Sequence, residues 1–181
     1  MGAVAWERGI RAFKRRDYAT AIKSFDTVLR VEPRFLPALT ARGFAHLEAG
    51  DFSSGMTDHD AVLELAPDQP LAWGNACWAR AAANLELDKA LSQCDRAVEL
   101  EASLSNLDYR GFVHYRRGEL DDALRDYETA LKKMRYGSGL FMRGVIRVRL
   151  GHDADGQADI VAAQKKERRV AERFAALGVK P

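Results

Sequence analysis

A 34-residue period constrains this chain more than any other feature. Pro33 and Pro67 lie 34 residues apart, and so do Gly9 and Gly43, Asp17 and Asp51, Tyr18 and Phe52, and Phe25 and His59. Within each period apolar residues recur three and four positions apart, the spacing of one helix face. Tyr109–Leu131 displays the unit most plainly. Tyr109–Arg117 and Leu120–Leu131 read as two amphipathic helices joined at Gly118-Glu119, with Ala123, Tyr127 and Ala130 on one face of the second. A lone hairpin of this size cannot bury both its faces, so such a chain stacks its units and draws stability from contacts between neighbours.

The units fall at 2–35, 36–69, 70–103, 104–136 and 137–168. In the first, helices are expected near 3–15 and 18–31, with Arg16-Asp17 as the turn and Pro33 as the stop, because proline lacks an amide proton and disfavours helix before it. The third unit departs most. Cys77 stands where others have glycine, the turn around Asn84–Leu87 gains a residue, and Ala102 replaces the terminating proline. Beyond the fifth unit, Val170, Phe174 and Leu177 fall at i, i+4 and i+7 before Gly178, which predicts a cap helix over 169–177 covering the last open face. No alternating strand pattern competes. The expected architecture is all-α: ten repeat helices and a cap, one curved array over 2–177.

Composition bounds the function classes. With 47% hydrophobic and 30% charged residues the chain suits a soluble folded protein. No run of about 18 apolar residues is present, so no membrane-spanning helix is expected. The N-terminus, MGAVAWERGIRAFKRR, lacks the apolar core of a signal peptide, which leaves the compartment open between the cytoplasm and, if a leader was removed, the periplasm. Residues 104–181 hold 16 Lys/Arg against 11 Asp/Glu and carry +5, while 1–103 carry −3. Acidic residues interleave throughout, so this reads as a solvated helix surface rather than a nucleic-acid site. The basic-end alternative would use Lys165, Lys166, Arg168 and Arg169 and bind in a salt-sensitive way.

Arg42, Arg110 and Arg143 each precede the small glycine of a first helix, and Asp58, Asp126 and Asp159 follow them by 16 residues. The third unit lacks both partners, with Ala76 and Gln93 in their places. Joint presence and joint absence predict Arg–carboxylate pairs across the hairpin, bidentate where geometry allows. The alternative is that these arginines face a ligand.

Catalytic constellations are missing. His46 and His114 occupy one position two units apart, too far to share a metal, and His59 and His152 have no Cys/His spacing that suggests zinc. Cys77 and Cys94 face the interior of one hairpin, either as small core residues or as a disulfide; an offset of about one helical turn would oppose the bond, and the inserted turn residue leaves that register open. Gly137-Ser138-Gly139 follows no strand and makes no phosphate loop. Asp121-Asp122 sits at a helix start, where carboxylates favour the dipole. No enzyme, cofactor or metal site is expected.

The 34-residue helix–turn–helix unit resembles the tetratricopeptide repeat over roughly residues 2–169, and its Arg-Gly units resemble those of bacterial members. The resemblance implies a right-handed α-solenoid whose first helices line a concave ligand groove. Carried over by position, one groove row is Ile10, Phe44, Trp78, Phe112 and Val145. A second is Phe13, Leu47, Ala81, Tyr115 and Val148, and a third Trp6, Thr40, Gly74, Asp108 and Phe141. Lys14, Glu48, Asp108, Arg116 and Arg149 stand at its edge. The positions that hold asparagine in the family's carboxylate-gripping members carry Phe44, Trp78 and Phe112 here, which argues against that clamp. Each aromatic is either groove surface or core covered by curvature and the next unit; a partly open groove is expected for the row.

An apolar, aromatic groove suits an amphipathic helix or an extended apolar peptide. The expected function is therefore a protein-interaction scaffold. The alternative is a self-assembly module with Trp6 or Phe174 at the contact between copies.

Overall fold

Eleven α-helices and no strand make up the described residues, 2–180, of the computed structural model. They are α1 (Gly2–Lys14), α2 (Tyr18–Leu29), α3 (Leu36–Glu48), α4 (Phe52–Leu65), α5 (Pro70–Ala83), α6 (Leu87–Leu100), α7 (Leu104–Arg117), α8 (Leu120–Lys133), α9 (Gly137–Arg149), α10 (Asp153–Lys166) and α11 (Val170–Ala176). The helices pack as successive hairpins, α1 on α2 through α9 on α10, and each second helix also packs on the next first helix. Local chemistry sets the ends. The Asp17, Asp51 and Ser103 side chains accept from the Thr20, Ser54 and Asn106 amides, capping α2, α4 and α7. Pro37 and Pro70 stand in the first turns of α3 and α5, where a missing amide proton costs nothing.

The left-handed turn residue between paired helices is glycine at Gly50, Gly118 and Gly151, with φ of 82°, 79° and 84°. In the first hairpin the same place is held by Arg16 at φ 63°. The third unit absorbs its extra residue by lengthening α5 rather than the turn: α5 has 14 residues and α3 has 13. Asn84 and Glu86 then take left-handed φ of 55° and 47° to start α6 on time.

Inside the hairpins a small residue of the first helix lies on a ring of the second. A Cβ added at Gly9 would stand 2.5 Å from the Phe25 ring, at Gly43 2.9 Å from His59 and at Gly111 3.0 Å from Tyr127. The third unit places Cys77 and Cys94 at this same contact and bonds them, with Cα atoms 5.4 Å apart. The two positions face each other, with no offset opposing the bond. The lack of a terminating proline at Ala102 is compensated by Asn106, whose side-chain amide donates to the Ala97 and Glu101 carbonyls at the end of α6.

The arginine pairs cross the hairpins. Arg42 binds Asp58 through Nε (2.9 Å) and Nη2 (2.6 Å), Arg110 binds Asp126 at 2.8 and 2.7 Å, and Arg143 binds Asp159 at 2.7 Å twice. A second set ties each unit to the one before. Arg42 and Arg110 direct Nη1 to Asp26 and Asp95, while Arg80 binds Asp60 and Arg147 binds Glu128. Such partly buried, bidentate pairs fix register.

The hydrophobic core is uneven. One continuous cluster runs from Cys77 on α5 through α7 to α11, ending at Val179. Units one and two hold two smaller clusters, one around Val28, Leu39 and Val62 and one around Ala12, Phe25 and Ala45. The N-terminal half has less core, and there the groove is open.

Candidate recognition groove

A cavity of about 960 Å³ runs along the inner side of the array, walled by Phe44, Leu47 and Glu48 of α3, Trp78 of α5, Asp108 and Tyr109 of α7, and Phe174 and Leu177 at the C-terminal end. Beside it a cleft of about 570 Å³ is lined by Ile10 and Phe13 of α1, Thr40, Ala41 and Phe44 of α3, and Leu71, Ala72 and Asn75 of α5. The lining is apolar except for Thr40, Gln69 and Asn75. The Asn75 Oδ1 is buried with no hydrogen-bond partner.

α11 does not simply cover the end of the array. It packs on α9 and α10 and turns its apolar face into the groove. Phe174 stacks on Phe141 with ring centroids 5.2 Å apart and meets Phe112 of α7 at 6.1 Å. Arg116 of α7, its guanidinium 4.9 Å from the Phe112 ring centre, donates through Nη2 to the Leu177 carbonyl at 2.5 Å. The chain therefore fills the C-terminal half of its own groove.

This divides the expected groove residues. Ile10, Phe13, Phe44 and Trp78 are half-buried and border open space, though Trp78 also stacks on Tyr109 at 5.2 Å. Phe112, Phe141 and Val145 are at most 1% exposed and Tyr115 5%. These four are core, because α11 and the neighbouring helices cover them. Leu47 is buried as well, against Gly55, and only its edge reaches the cavity. Trp6 packs between Phe25 and Phe35, which takes it out of the groove. Trp6 and Phe174, expected at a contact between copies, are thus both engaged within the chain.

The edge residues divide too. Lys14 and Arg149 are exposed, and the Arg149 guanidinium lies 4.6 Å from the Tyr115 ring centre. Glu48 accepts from the Tyr18 hydroxyl at 3.0 Å, and that hydroxyl accepts from Arg16 Nε at 3.3 Å. Asp108, half-buried in the cavity wall, has its carboxyl raised to about 6 by desolvation, opposed by the Tyr136 hydroxyl that donates to it at 2.7 Å and by Arg173. The three paired arginines face carboxylates, not the cavity. Arg80, which the sequence pattern did not single out, is 2% exposed and held by Asp60 and Glu86.

Among the described residues no group of three or more His, Cys, Asp or Glu is placed to hold a metal ion, and no helix is long and apolar enough to cross a membrane. His59 is fully buried beside Phe44, and desolvation lowers its imidazole to about 4, so it is neutral and makes no hydrogen bond. The arrangement offers apolar contact and charge at the rim.

No protein-family model matches the sequence, and a search of the curated proteins found no match. Solved structures do share the fold. A thermophilic tetratricopeptide protein of Thermus thermophilus, TTC0263, superposes with a TM-score of 0.84 at 17% identity over 98% of each chain. PilW, a type IV pilus biogenesis factor, gives 0.80 at 12% identity over 97% of this chain and 86% of its own. MamA of Desulfovibrio magneticus RS-1 gives 0.71 at 17% identity over 92% and 95%. The chain has the tetratricopeptide-repeat fold.

Proposed function

We propose, from the premise that this chain is a tetratricopeptide-fold array, that it is a non-enzymatic protein-interaction scaffold. It holds an apolar or amphipathic helical segment of a partner protein in the N-terminal half of its groove. One observation carries the reading. Phe44 occupies the repeat position that Phe112 occupies two units later, and Phe112 is covered by a helix whose Phe174 packs on it. At Phe44 the corresponding space is the open 570 Å³ cleft. Exposed aromatic rows of this kind supply binding hot spots, and an amphipathic helix laid in an apolar groove is a recurrent mode of recognition.

Affinity capture from a lysate of the source organism tests it, comparing wild type with Phe44→Asp and Ile10→Asp, each checked for native helix content. Both positions are half-buried and border the cleft, so a variant counts only if its helix content is native. A partner retained by wild type and lost from both is the expected result. An unchanged set of partners would move recognition off this face.

A further inference from the structure

α11 fits the groove half beneath it imperfectly. α11 has seven residues, follows a three-residue connection, and is anchored by few side chains, chiefly Val170, Phe174 and Val179. It seats Phe174 well, between Phe141 and Phe112. It serves the polar groups beneath it poorly. Arg116 obtains one backbone carbonyl, and its Nε is buried without a partner, as is the Tyr115 hydroxyl. Orphaned buried donors of this kind each cost stability and are rare in native structures.

Charge points the same way. Residues 168–180 carry four basic side chains and one acidic one, and they are laid against the end of the groove that holds Arg116 and Arg149. What the site lacks is a carboxylate, and the backbone shows where one would stand. A Cβ built at Gly178 would lie 3.8 Å from Arg116 Nη1. Gly178 has φ 77°, a conformation that aspartate and asparagine tolerate better than other side chains do.

We infer that this half-groove binds a partner helix built on the pattern of α11, with an aliphatic residue, an aromatic four positions later and an acidic residue four beyond that, and that such a helix displaces α11. The inference rests on the groove being a protein-binding surface, and it adds the site and the chemistry of the occupant. The cavity is continuous from Trp78 to Phe174, so a segment lying in the open half leads directly to this seat.

Two labelled synthetic peptides make the test: residues 168–180 as they stand, and the same with Gly178→Asp. Fluorescence anisotropy measures their binding to the full chain as wild type, Phe174→Ala and Arg116→Ala/Phe174→Ala, with circular dichroism checking the fold. Phe174→Ala loosens the resident helix, and Leu177→Asp serves instead if that variant loses helix content. The loosened chain should bind both peptides at least tenfold tighter than wild type does. The Gly178→Asp peptide should bind severalfold tighter than the native one, and that advantage should vanish in Arg116→Ala/Phe174→Ala. Absence of saturable binding to a folded, loosened chain would overturn the inference, as would equal affinity for wild type and the loosened chain or indifference to Arg116. Peptide binding that is abolished by Phe44→Asp and untouched by Phe174→Ala would also overturn it, while leaving the proposed function standing.

Discussion

Reducing the Cys77–Cys94 bond should destabilise the array by an amount the structure sets. The two residues are 17 apart in sequence, and both are fully buried in the middle unit. Closing a loop of that length removes entropy from the unfolded chain worth about 3 kcal/mol at 25 °C. The reduced thiols remain small apolar groups in the same place, so the cost falls on the unfolded state rather than on packing. For a chain of this size 1 kcal/mol shifts the unfolding midpoint by about 2–4 °C. Melting followed by circular dichroism, with and without dithiothreitol, should therefore differ by about 6–12 °C. Cys77→Ala/Cys94→Ala is the control, since reductant must leave it unchanged. The third unit's hairpin also lacks the arginine–aspartate pair of units two, four and five, so Ala76→Arg/Gln93→Asp in the reduced protein should recover part of the loss. A wild-type midpoint that moves by less than about 2 °C on reduction would refute the reasoning.

Two further perturbations probe the N-terminal half. The unfolded histidine titrates near 6.5 and the buried His59 near 4, so between those values the unfolded chain binds the proton more readily. Stability is then full above pH 6.5 and falls as pH drops through the window, by about 3 kcal/mol at its lower end. His59→Phe, which copies Phe25 of the first unit, should flatten that part of the pH–stability profile measured by urea titration; an unaltered slope would assign the loss elsewhere. Arg16→Gly should raise the unfolding midpoint by about 2–4 °C, because glycine relieves the left-handed strain at this turn. It should also weaken partner binding through loss of the Arg16–Tyr18–Glu48 contacts at the cavity rim. Unchanged affinity would make that strain a purely local matter.

The fold was legible because a repeat reports the same decision several times. Pro33 and Pro67, and the glycines facing Phe25, His59 and Tyr127, need no alignment to be seen as one device. The hairpin ion pairs were legible for a sharper reason: Ala76 and Gln93 lose both partners together. The pairs between units follow a comparable rule. One first-helix position holds His46, Arg80, His114 and Arg147, and the two arginines reach back to Asp60 and Glu128, which also share one position. In the alternate units Arg42 and Arg110 reach back instead, to Asp26 and Asp95. The burial of Phe112, Phe141 and Val145 was not legible. It depends on the direction in which a seven-residue helix leaves α10, which packing decides and periodicity does not encode. The cysteine register turned on whether the inserted residue lengthened the turn or α5, a choice that left-handed Asn84 and Glu86 resolve and that their side chains do not advertise.

The most direct measurement is backbone hydrogen exchange on the chain with and without a captured partner. Groove binding predicts slowed exchange on the inner helices α1, α3 and α5 around Ile10, Phe44 and Trp78, with α2, α4 and α6 unchanged. Protection confined to those second helices would contradict it, because the partner would then bind the outer face and leave the groove empty.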